Sequence, residues 1–442
     1  MTSLRLESTA DREAPPGRPA TTPSSPGLET EPRPGFQGGP FGHALGWLLK
    51  RQLKGVPVEL VLPGGTRLAV RAGPRVATVF IKDFGVLLRL PFNSEVAFGE
   101  AFEAGRIEVH GDMVGLLEAV FRQQLARRAL GGRPSTPTPQ RSHGLRSARR
   151  NIHHHYDLGN GFYRLWLDKE LLYTCAYYPS PDDDLDTAQI AKMEHVCRKL
   201  RLQPGERVVE AGCGWGALAL YMARRYGVTV RAFNISVEQI RWARERARRE
   251  GLDGRVEFVD DDYRNIRGPF DVFVSIGMLE HVGPPNYRVL GEVIHRGLPE
   301  ASGRGLIHFI GRNRPAPPSA WTDRRLFPGS YPPALAEMIE SVLEPRDFSV
   351  LDVENLRLHY ARTLRHWHER FEASVDKVAA MFDERFVRAW RLYLTGSQAA
   401  FRSGGLQLFQ VVFARGCDQQ VPWTRIGPTF MTEDAPAPHG TA

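Results

Sequence analysis

Cysteine is scarce in this chain of 442 residues, and its placement follows no metal-site or disulfide pattern. The four residues lie far apart, at Cys175, Cys197, Cys213 and Cys417. Structural zinc sites and disulfide frameworks require paired or clustered cysteines. The sequence therefore predicts no disulfide scaffold and no metal centre, and it favours a reducing, cytoplasmic environment.

Long apolar runs are missing as well. No segment approaches the roughly 18 consecutive apolar residues that a membrane-spanning helix needs. The first residues, MTSLRLESTADREAPPG, lack the basic and then apolar regions of a signal peptide. We therefore expect a protein that is not exported and that touches membranes only peripherally. The 58 Lys and Arg against 50 Asp and Glu suit an anionic membrane surface, nucleic acid or an acidic substrate.

Acidic residues are absent between Ala119 and Tyr156, a stretch that holds eight arginines. Such a stretch is typical of a solvated helix end with a linker. It is also typical of a patch that meets anionic lipid head groups, where each charge contributes about 1 kcal/mol. No stacking-aromatic motif accompanies the arginines, so we expect no nucleic-acid partner.

Composition divides the chain into five parts. Residues 1–40 and 424–442 are rich in Pro, Ser, Thr and Gly and are predicted to be disordered. Residues 41–130 alternate short helical and strand-like runs, which predicts a small α+β domain; GVLLRLP is interpreted as one of its strands. Residues 131–150 form a basic linker, and residues 151–423 make up the main domain.

The main domain repeats strand–helix units from about Gln189 onward. This alternation predicts an α/β fold with a doubly wound, mostly parallel, Rossmann-like sheet. Residues 313–400 are interpreted as aromatic-rich helices, and QLFQVVFARG is predicted to be the last strand.

A glycine-rich loop lies between an apolar strand and a helix in VVEAGCGWGALALYMARRYG (208–227). Glu210 precedes Gly212, Gly214 and Gly216. A dinucleotide fingerprint has another spacing, G-x-G-x-x-G with an acidic residue about 20 positions on. The E-x-G-x-G-x-G spacing resembles motif I of class I S-adenosylmethionine (SAM) methyltransferases. The resemblance implies that Glu210 and the loop hold the ribose and amino-acid parts of SAM; a loop that serves packing alone is the alternative.

The next two predicted strands end in polar residues. Asn234 and Gln239 follow the first of them, and Asp262 and Tyr263 follow the second. We expect Asp262 to accept a hydrogen bond from an adenine amino group and Tyr263 to pack on the ring. The two aspartates before Asp262 are interpreted as solvated.

Several blocks, in one order, resemble the cyclopropane-fatty-acyl-phospholipid synthases and, more distantly, the mycolic acid cyclopropane synthases. They are YDLGNGFYRLWLDKELLYTCAYY (156–178), EAGCGWG (210–216), GMLEHVG (277–283), LIHFIG (306–311), YARTLRHWHERF (360–371) and AAFRSGGLQLFQVVFARG (399–416). The resemblance covers roughly residues 45–425. It implies a SAM-dependent methyltransferase domain with a helical lipid-binding insertion, an N-terminal domain that helps engage lipid, and a homodimer.

The resemblance also implies the chemistry. In that family the cis double bond of an unsaturated phospholipid acyl chain attacks the sulfonium methyl, and a base removes a proton from the added methyl so that a ring closes. The family's base is a bound bicarbonate ion. Its contacts carry over to the side chains of Glu280, His308 and Tyr360 and to the backbone N–H groups of Cys175 and Ile310. Tyr173 and Thr174 would border the cofactor.

The resemblance places the protein in the cytoplasm, peripherally bound at the inner face of the cell membrane. One position departs from the family pattern, because Ser397 stands where the family often has cysteine. Direct methyl transfer needs no nucleophilic cysteine, so we expect that cysteine to be dispensable. The run His153–His155 is interpreted as packing.

Three other functions stay open at this stage. The same cation could resolve to a methylene- or methyl-branched chain. The protein could methylate a small molecule, or it could be a lipid-binding protein with a degenerate site.

Overall fold

The computed structural model describes residues 40–129 and 158–419. The predictions for residues 1–39, 130–157 and 420–442 lie outside the described residues; they include the linker, five of the eight arginines and the histidine run. Within the described residues, no helix is long and apolar enough to cross a membrane. The division of the chain into domains stays a prediction.

Residues 40–129, called here the N-terminal unit, form a four-stranded sheet with four helices. The sheet order is β2-β1-β3-β4, and β1 runs parallel to β3 while the other pairs are antiparallel. The elements are α1 (Pro40–Gln52), β1 (Val58–Val61), β2 (Arg67–Ala69), β3 (Ala77–Ile81), α2 (Phe84–Arg89), α3 (Ser94–Glu103), β4 (Ile107–Gly111) and α4 (Met113–Ala129).

The prediction of a strand at GVLLRLP was wrong, because these residues lie in and just after α2. The Asp83 side chain caps this helix by accepting a hydrogen bond from the Val86 N–H at 2.8 Å. Val86 and Leu87 then face the core. A short apolar run fits a buried helical turn as well as a strand, and the capping aspartate decided between them.

The remaining residues are built on a seven-stranded sheet of order β10-β11-β9-β8-β5-β6-β7. Strands β9, β8, β5, β6 and β7 are parallel, and β11 and β10 add antiparallel pairs at one edge. The strands are β5 (Arg207–Ala211), β6 (Thr229–Asn234), β7 (Val256–Asp260), β8 (Val272–Ile276), β9 (Arg304–Gly311), β10 (Phe348–Asn355) and β11 (Gln407–Arg415).

Helices cover both faces of this sheet, which confirms the predicted doubly wound α/β fold. They are α5 (Asn160–Tyr163), α6 (Leu185–Leu200), α7 (Ala217–Tyr226), α8 (Val237–Arg249), α9 (Leu279–Val282), α10 (Tyr287–Gly297), α11 (Ala320–Arg325), α12 (Leu335–Met338), α13 (Arg357–Ala373), α14 (Val375–Met381) and α15 (Glu384–Ser403). A π-helical turn spans Ile339–Leu343, and 3-10 turns span Tyr263–Asn265, Pro284–Asn286 and Glu344–Arg346.

The aromatic segment 313–400 is not wholly helical, because it contains the edge strand β10. That strand is mostly half-exposed and its pairing with β11 shifts at Val350/Asp352, so it lacks the apolar pattern of the central strands. The rest of the segment supplies α13 and α15. Helix α15 packs against α3 and α4, so one continuous apolar core joins the N-terminal unit to the sheet-based part.

Candidate active site

The glycine loop connects β5 to α7 and adopts backbone angles that favour glycine. Gly212, Gly214 and Gly216 have φ values of 86°, 53° and 83°. A Cβ at Gly216 would lie 2.5 Å from the Phe258 ring, whereas a Cβ at Gly214 would meet no atom within 4 Å. Gly216 therefore allows close packing of the loop on the sheet, and Gly214 leaves open space beside a cavity.

A cavity of about 140 Å³ lies at this loop, at the carboxyl ends of β5, β6 and β8. The strand order reverses between β5 and β8, which is where doubly wound sheets bind ligands. Nine of the ten residues predicted to bind the cofactor line it: Tyr173, Thr174, Glu210, Gly212, Gly214, Asn234, Gln239, Asp262 and Tyr263. Gly216 does not line it.

Several buried polar atoms around this cavity have no hydrogen-bond partner among the described residues. They are Glu210 Oε2, Gln239 Nε2 and the Tyr263 hydroxyl. Asn234 orients Gln239 by donating to its Oε1 at 2.7 Å. Because buried polar groups are normally paired, these atoms fit a polar ligand with hydroxyl, amino and carboxylate groups, as SAM has.

Asp262 is partly committed to the protein. Its Oδ1 accepts a hydrogen bond from the Arg264 N–H at 3.0 Å, and Arg264 Nε lies 3.0 Å from the same oxygen. Only Oδ2 remains for the predicted adenine contact. The preceding Asp261 is also structural, because its Oδ1 accepts from the Asp262 N–H at 2.7 Å and from Asn265 at 2.8 Å.

A buried lysine lies beneath the cofactor cavity, and the sequence analysis missed it. The Lys192 ammonium donates to Thr174 Oγ1 at 3.0 Å. Burial lowers its pKa, while the carboxylates of Asp168 and Glu210 oppose that effect. Burial raises the pKa of Glu210 to about 7, and Lys192 counteracts the rise. Lys192 follows Ala188 and Gln189 on the buried side of α6, so its inward position was readable from helical spacing.

Glu280 lies on α9, directly after β8, and is buried. Its Oε1 accepts a hydrogen bond from the Ile310 N–H at 2.5 Å, and its Oε2 has no partner among the described residues. Burial raises the pKa of Glu280 to about 7, and the Ile310 N–H works against the rise. The backbone N–H that the resemblance assigns to bicarbonate thus donates to Glu280 here.

His308 lies on β9 opposite Gln410 of β11. Gln410 Nε2 lies 3.1 Å from His308 Nδ1. Burial, together with the positive charge of Lys192, lowers the pKa of His308 to about 3, so the ring is neutral. With Gln410 as donor, the ring proton lies on Nε2, which then acts as a hydrogen-bond donor. The sequence analysis did not single out Gln410.

Cys175 and Tyr360 complete the predicted set. Cys175 is fully buried, and burial raises the pKa of its thiol far above the usual range, which makes it a poor nucleophile. Tyr360 lies near the start of α13, and its ring packs against that of Phe401 with 4.6 Å between the two ring centroids.

All five predicted catalytic residues line one large, mainly apolar cavity of about 510 Å³. Residues Tyr173, Thr174 and Gly277 line both this cavity and the cofactor cavity, so the two adjoin. A Cβ at Gly277 would lie 3.0 Å from Thr174 Cγ2, so glycine keeps this junction open.

The N-terminal unit forms much of the wall of the large cavity. Strands β1 and β3 and helices α3 and α4 contribute side chains to it, opposite α15 and β9. Ser397, the residue that departs from the family pattern, lies on the α15 side of this wall.

The sequence profile of the mycolic acid cyclopropane synthetase family matches residues 143–411, which is more than half of the chain. The chain belongs to this family. It is a SAM-dependent methyltransferase of the cyclopropane fatty acid synthase type.

Three relatives illustrate the range of the family. A probable fatty acid methyltransferase of Pseudomonas putida is 37% identical over 84% of this chain and 95% of its own length. Cyclopropane-fatty-acyl-phospholipid synthase of Escherichia coli K12 is 42% identical over 60% of this chain and 67% of its own. Tuberculostearic acid methyltransferase UfaA1 of Mycobacterium tuberculosis is 34% identical over 83% of this chain and 90% of its own length.

A solved structure agrees with the cofactor assignment. The mycolic acid cyclopropane synthase CmaA1, complexed with SAH and CTAB, is 30% identical with a TM-score of 0.57 and covers 60% of this chain and 97% of its own. That coverage leaves 40% of this chain unmatched by CmaA1.

Proposed function

We propose that this enzyme transfers the methyl carbon of SAM to the cis double bond of an unsaturated phospholipid acyl chain and closes a cyclopropane ring, with bicarbonate as the base. The observation that carries the proposal is the junction of the two cavities. The cavity that we propose to hold SAM shares lining residues, among them Thr174 and Gly277, with an apolar cavity that has Glu280 and His308 in its wall.

The large cavity supports the lipid part of the proposal. A carbocation formed on an alkene must be kept from water, and an apolar enclosure does this. Aromatic side chains stand where the two cavities adjoin, with the hydroxyls of Tyr173 and Tyr393 hydrogen-bonded at 2.7 Å. These rings hold the chain beside the cofactor cavity and leave few polar atoms next to the reacting carbons.

The proposed bicarbonate site consists of complementary groups. Glu280 Oε2 is a buried acceptor without a partner among the described residues, and it would receive or orient the bicarbonate proton. His308 Nε2–H, the Tyr360 hydroxyl and the Cys175 N–H would donate to its oxygens. Bicarbonate, when bound, supplies a proton acceptor for the added methyl group. The side chains would fix its position, with the His308 ring neutral.

The site of action is also part of the proposal. A phospholipid substrate requires contact with a bilayer, and we place the enzyme at the inner, anionic face of the cell membrane as a homodimer. Within the described residues, the basic end of α4 with Arg127 and Arg128 supports such contact. Electrostatic attraction of this kind weakens as salt rises.

A methyl- or methylene-branched product is the second candidate. The relatives from P. putida and M. tuberculosis are both described as methyltransferases, which favours it. Both products lose a proton from the added methyl group. Loss with bond formation to the neighbouring cationic carbon closes the ring, whereas a hydride shift to that carbon before the loss leaves a methylene branch; a saturated methyl branch would also need a separate hydride donor. An acceptor held by Glu280 and His308 beside the added methyl group supports direct loss, which closes the ring.

The test incubates purified enzyme with dioleoyl phosphatidylglycerol vesicles, bicarbonate and SAM labelled in its methyl group, and identifies the product by NMR. We expect the label in a cyclopropane methylene. Glu280→Gln should reduce ring formation by roughly 100-fold or more while SAM still binds. Glu340→Gln, an exposed glutamate, is the matched control. A labelled branch would support the second candidate, and no incorporation into any unsaturated lipid would contradict the lipid function.

A further inference from the structure

We propose that Arg312 and Arg128 bind the phosphate diester of the lipid whose acyl chain occupies the large cavity. The inference rests on the proposed function, and it adds a head-group site that defines the substrate as a phosphate-bearing lipid. Both residues line the large cavity, and neither belongs to the catalytic or cofactor sets.

Strand β9 and the residue that follows it place Arg312 on the same side of the chain as two of the predicted catalytic residues. Alternate residues of a strand point to the same side, and His308, Ile310 and Arg312 all line the large cavity. Arg312 continues the strand direction, since its N–H donates to the Pro333 carbonyl at 2.9 Å. At about 3.3 Å per residue, Arg312 lies roughly 13 Å beyond His308. The backbone positions of His308 and Arg312 are therefore well separated along the same side of the large cavity.

The guanidinium of Arg312 is held in place without an ion pair. Its Nη1 donates to the carbonyls of Ala316 at 2.7 Å and Pro317 at 2.5 Å. No carboxylate of residues 40–129 or 158–419 forms an ion pair with it. The remaining N–H groups of the fork have no hydrogen-bond acceptor in those ranges.

The acidic groups near Arg312 are committed elsewhere. Glu95 Oε1 accepts from the Ser319 hydroxyl at 2.5 Å and from the Trp321 N–H at 3.2 Å. Glu337 accepts from the Tyr331 hydroxyl at 2.9 Å and from the Ala334 N–H at 2.8 Å. Both carboxylates favour the charged form of Arg312 from a distance, but neither forms an ion pair with it. The Arg312 guanidinium therefore keeps N–H groups for direct contact with an external anion.

Arg128 supplies a second cation at the same end of the cavity. It lies in the last turn of α4, whose residues Leu116, Leu117, Val120, Phe121, Gln124, Leu125 and Arg128 line the cavity at helical spacing. Burial lowers the pKa of Arg312, and the positive charge of Arg128 lowers it further, so the two guanidinium groups repel each other. Two guanidinium groups that share no carboxylate can bind one phosphate, because the phosphate oxygens can accept hydrogen bonds from the N–H groups of both.

The chemistry of the ligand follows from this arrangement. The apolar wall accepts the acyl chain and the arginine pair accepts the phosphate, so one lipid would be fixed at both ends. This places a double bond at a set depth beside Glu280 and His308. Free phosphate shares the anionic group but has no chain, and the two sources are separable by experiment.

The experiment compares dioleoyl phosphatidylglycerol with dioleoylglycerol, which has the same chains and no phosphate, in neutral-detergent micelles. We expect Arg312→Gln and Arg128→Gln each to raise the KM for the phosphatidylglycerol about tenfold or more and to leave that for dioleoylglycerol unchanged. Arg312→Lys should restore part of the loss, because it keeps the charge without the fork. Arg314→Gln, at an exposed residue outside the cavity lining, is the control for general surface charge.

Binding of distearoyl phosphatidylglycerol, which has no double bond to react, is measured in parallel with SAM binding as the folding control. Loss of this binding in Arg312→Gln, with inorganic phosphate competing only weakly, supports a lipid phosphate site. Equal competition by inorganic phosphate would reassign the site to free phosphate. An unchanged preference for phosphatidylglycerol in both variants would overturn the inference. Arginine-dependent binding with no turnover of any lipid would contradict the proposed function and leave the phosphate site standing.

Discussion

At the residue scale, two buried glutamates define the two halves of the site. Glu210 lines the cofactor cavity and Glu280 the large cavity, and burial raises the pKa of each to about 7. Lys192 opposes the rise at Glu210, whereas a backbone N–H opposes it at Glu280. A carboxyl group that titrates near neutrality is suited to hold or release a proton at the pH where the enzyme works.

The Glu280 pKa has a consequence for stability. A group whose pKa is raised from its usual 4.5 to about 7 on folding stabilises the protein fully below pH 4.5, and that stabilisation is lost as pH rises through 7. Glu280→Gln cannot ionise, so we expect it to be more stable than the parent at pH 8, by at most about 3 kcal/mol. Denaturant unfolding at pH 5 and pH 8, without SAM or bicarbonate, measures this.

The expected gain at pH 8 should largely vanish at pH 5, where the parent carboxyl is mostly protonated. Glu340→Gln should show neither effect. An equal change at both pH values would show that the effect arises from packing and not from ionisation.

The sequence predicted the residues of the site that belong to motif blocks. Glu280, His308 and Tyr360 were identified by resemblance, and they do line one cavity. The motif blocks did not identify Gln410 or Arg312. The position of Gln410 beside His308 depends on the pairing of β9 with β11, and the position of Arg312 depends on a cavity formed by segments that are distant in the sequence. Neither relation leaves a local signal in the sequence.

At the element scale, the glycine loop combines packing with ligand access. Its first residues are tied to β6, since the N–H groups of Gly212 and Cys213 donate to the Phe233 carbonyl at 2.9 and 3.1 Å. Gly216 then starts α7 against Phe258 and Ala243. The loop is therefore fixed by its ends and open at Gly214.

A pair of alanine substitutions separates these roles. Gly216→Ala should lower the free energy of unfolding by about 1–3 kcal/mol or more, because its Cβ would lie 2.5 Å from Phe258 and 2.9 Å from Ala243. Gly214→Ala meets no atom, so it should cost only about 1–2 kcal/mol of backbone strain and mainly weaken SAM binding. Chemical denaturation and SAM titration measure the two effects; the reverse ranking in stability would refute this division.

Element prediction succeeded where periodicity and capping agreed. The strands and helices of the central sheet were read correctly, because apolar strand-like runs and amphipathic helical segments alternate there in a repeated order. GVLLRLP and β10 were misread for opposite reasons. The first is an apolar run short enough to suit either structure, and the second is an edge strand with little apolar pattern.

At the scale of the whole molecule, the N-terminal unit is docked by a buried carboxylate. Glu103 of α3 accepts a hydrogen bond from Trp321 Nε1 at 2.7 Å and pairs with Arg325 at 3.4 Å and Arg385 at 3.3 Å. Beside it, the Trp321 ring packs on Gly99 with no room for a Cβ. This contact sets the position of α3, and with it one wall of the large cavity.

Removing the Glu103 contact should weaken the binding of lipid but not the binding of SAM. We expect Glu103→Ala to raise the KM for lipid and to lower the free energy of unfolding by about 1–3 kcal/mol, because it leaves the buried Trp321 N–H without an acceptor while Arg325 and Arg385 are partly exposed. The Kd for SAM should not change, since the cofactor cavity lies elsewhere. Glu108→Ala, which breaks the half-exposed pair with Lys82 inside the N-terminal unit, is the control and should change stability by less than about 1 kcal/mol. A parallel loss of SAM binding would contradict the account.

The sequence predicted an N-terminal unit that engages lipid, but not its place in the reaction site. Strand and helix patterns show which residues of β1, β3 and α4 are apolar, and such residues are ordinarily core. Only the packing of α15 on α3 and α4 shows that part of this apolar surface faces a shared cavity.

The central claim is that Glu280 and His308 hold bicarbonate as the base that closes the ring. The most direct test is the rate of ring formation in buffer stripped of carbon dioxide, before and after bicarbonate is added back. The account predicts a large loss that bicarbonate restores in the parent enzyme and does not restore in Glu280→Gln. A parent rate that is the same with and without bicarbonate would contradict it.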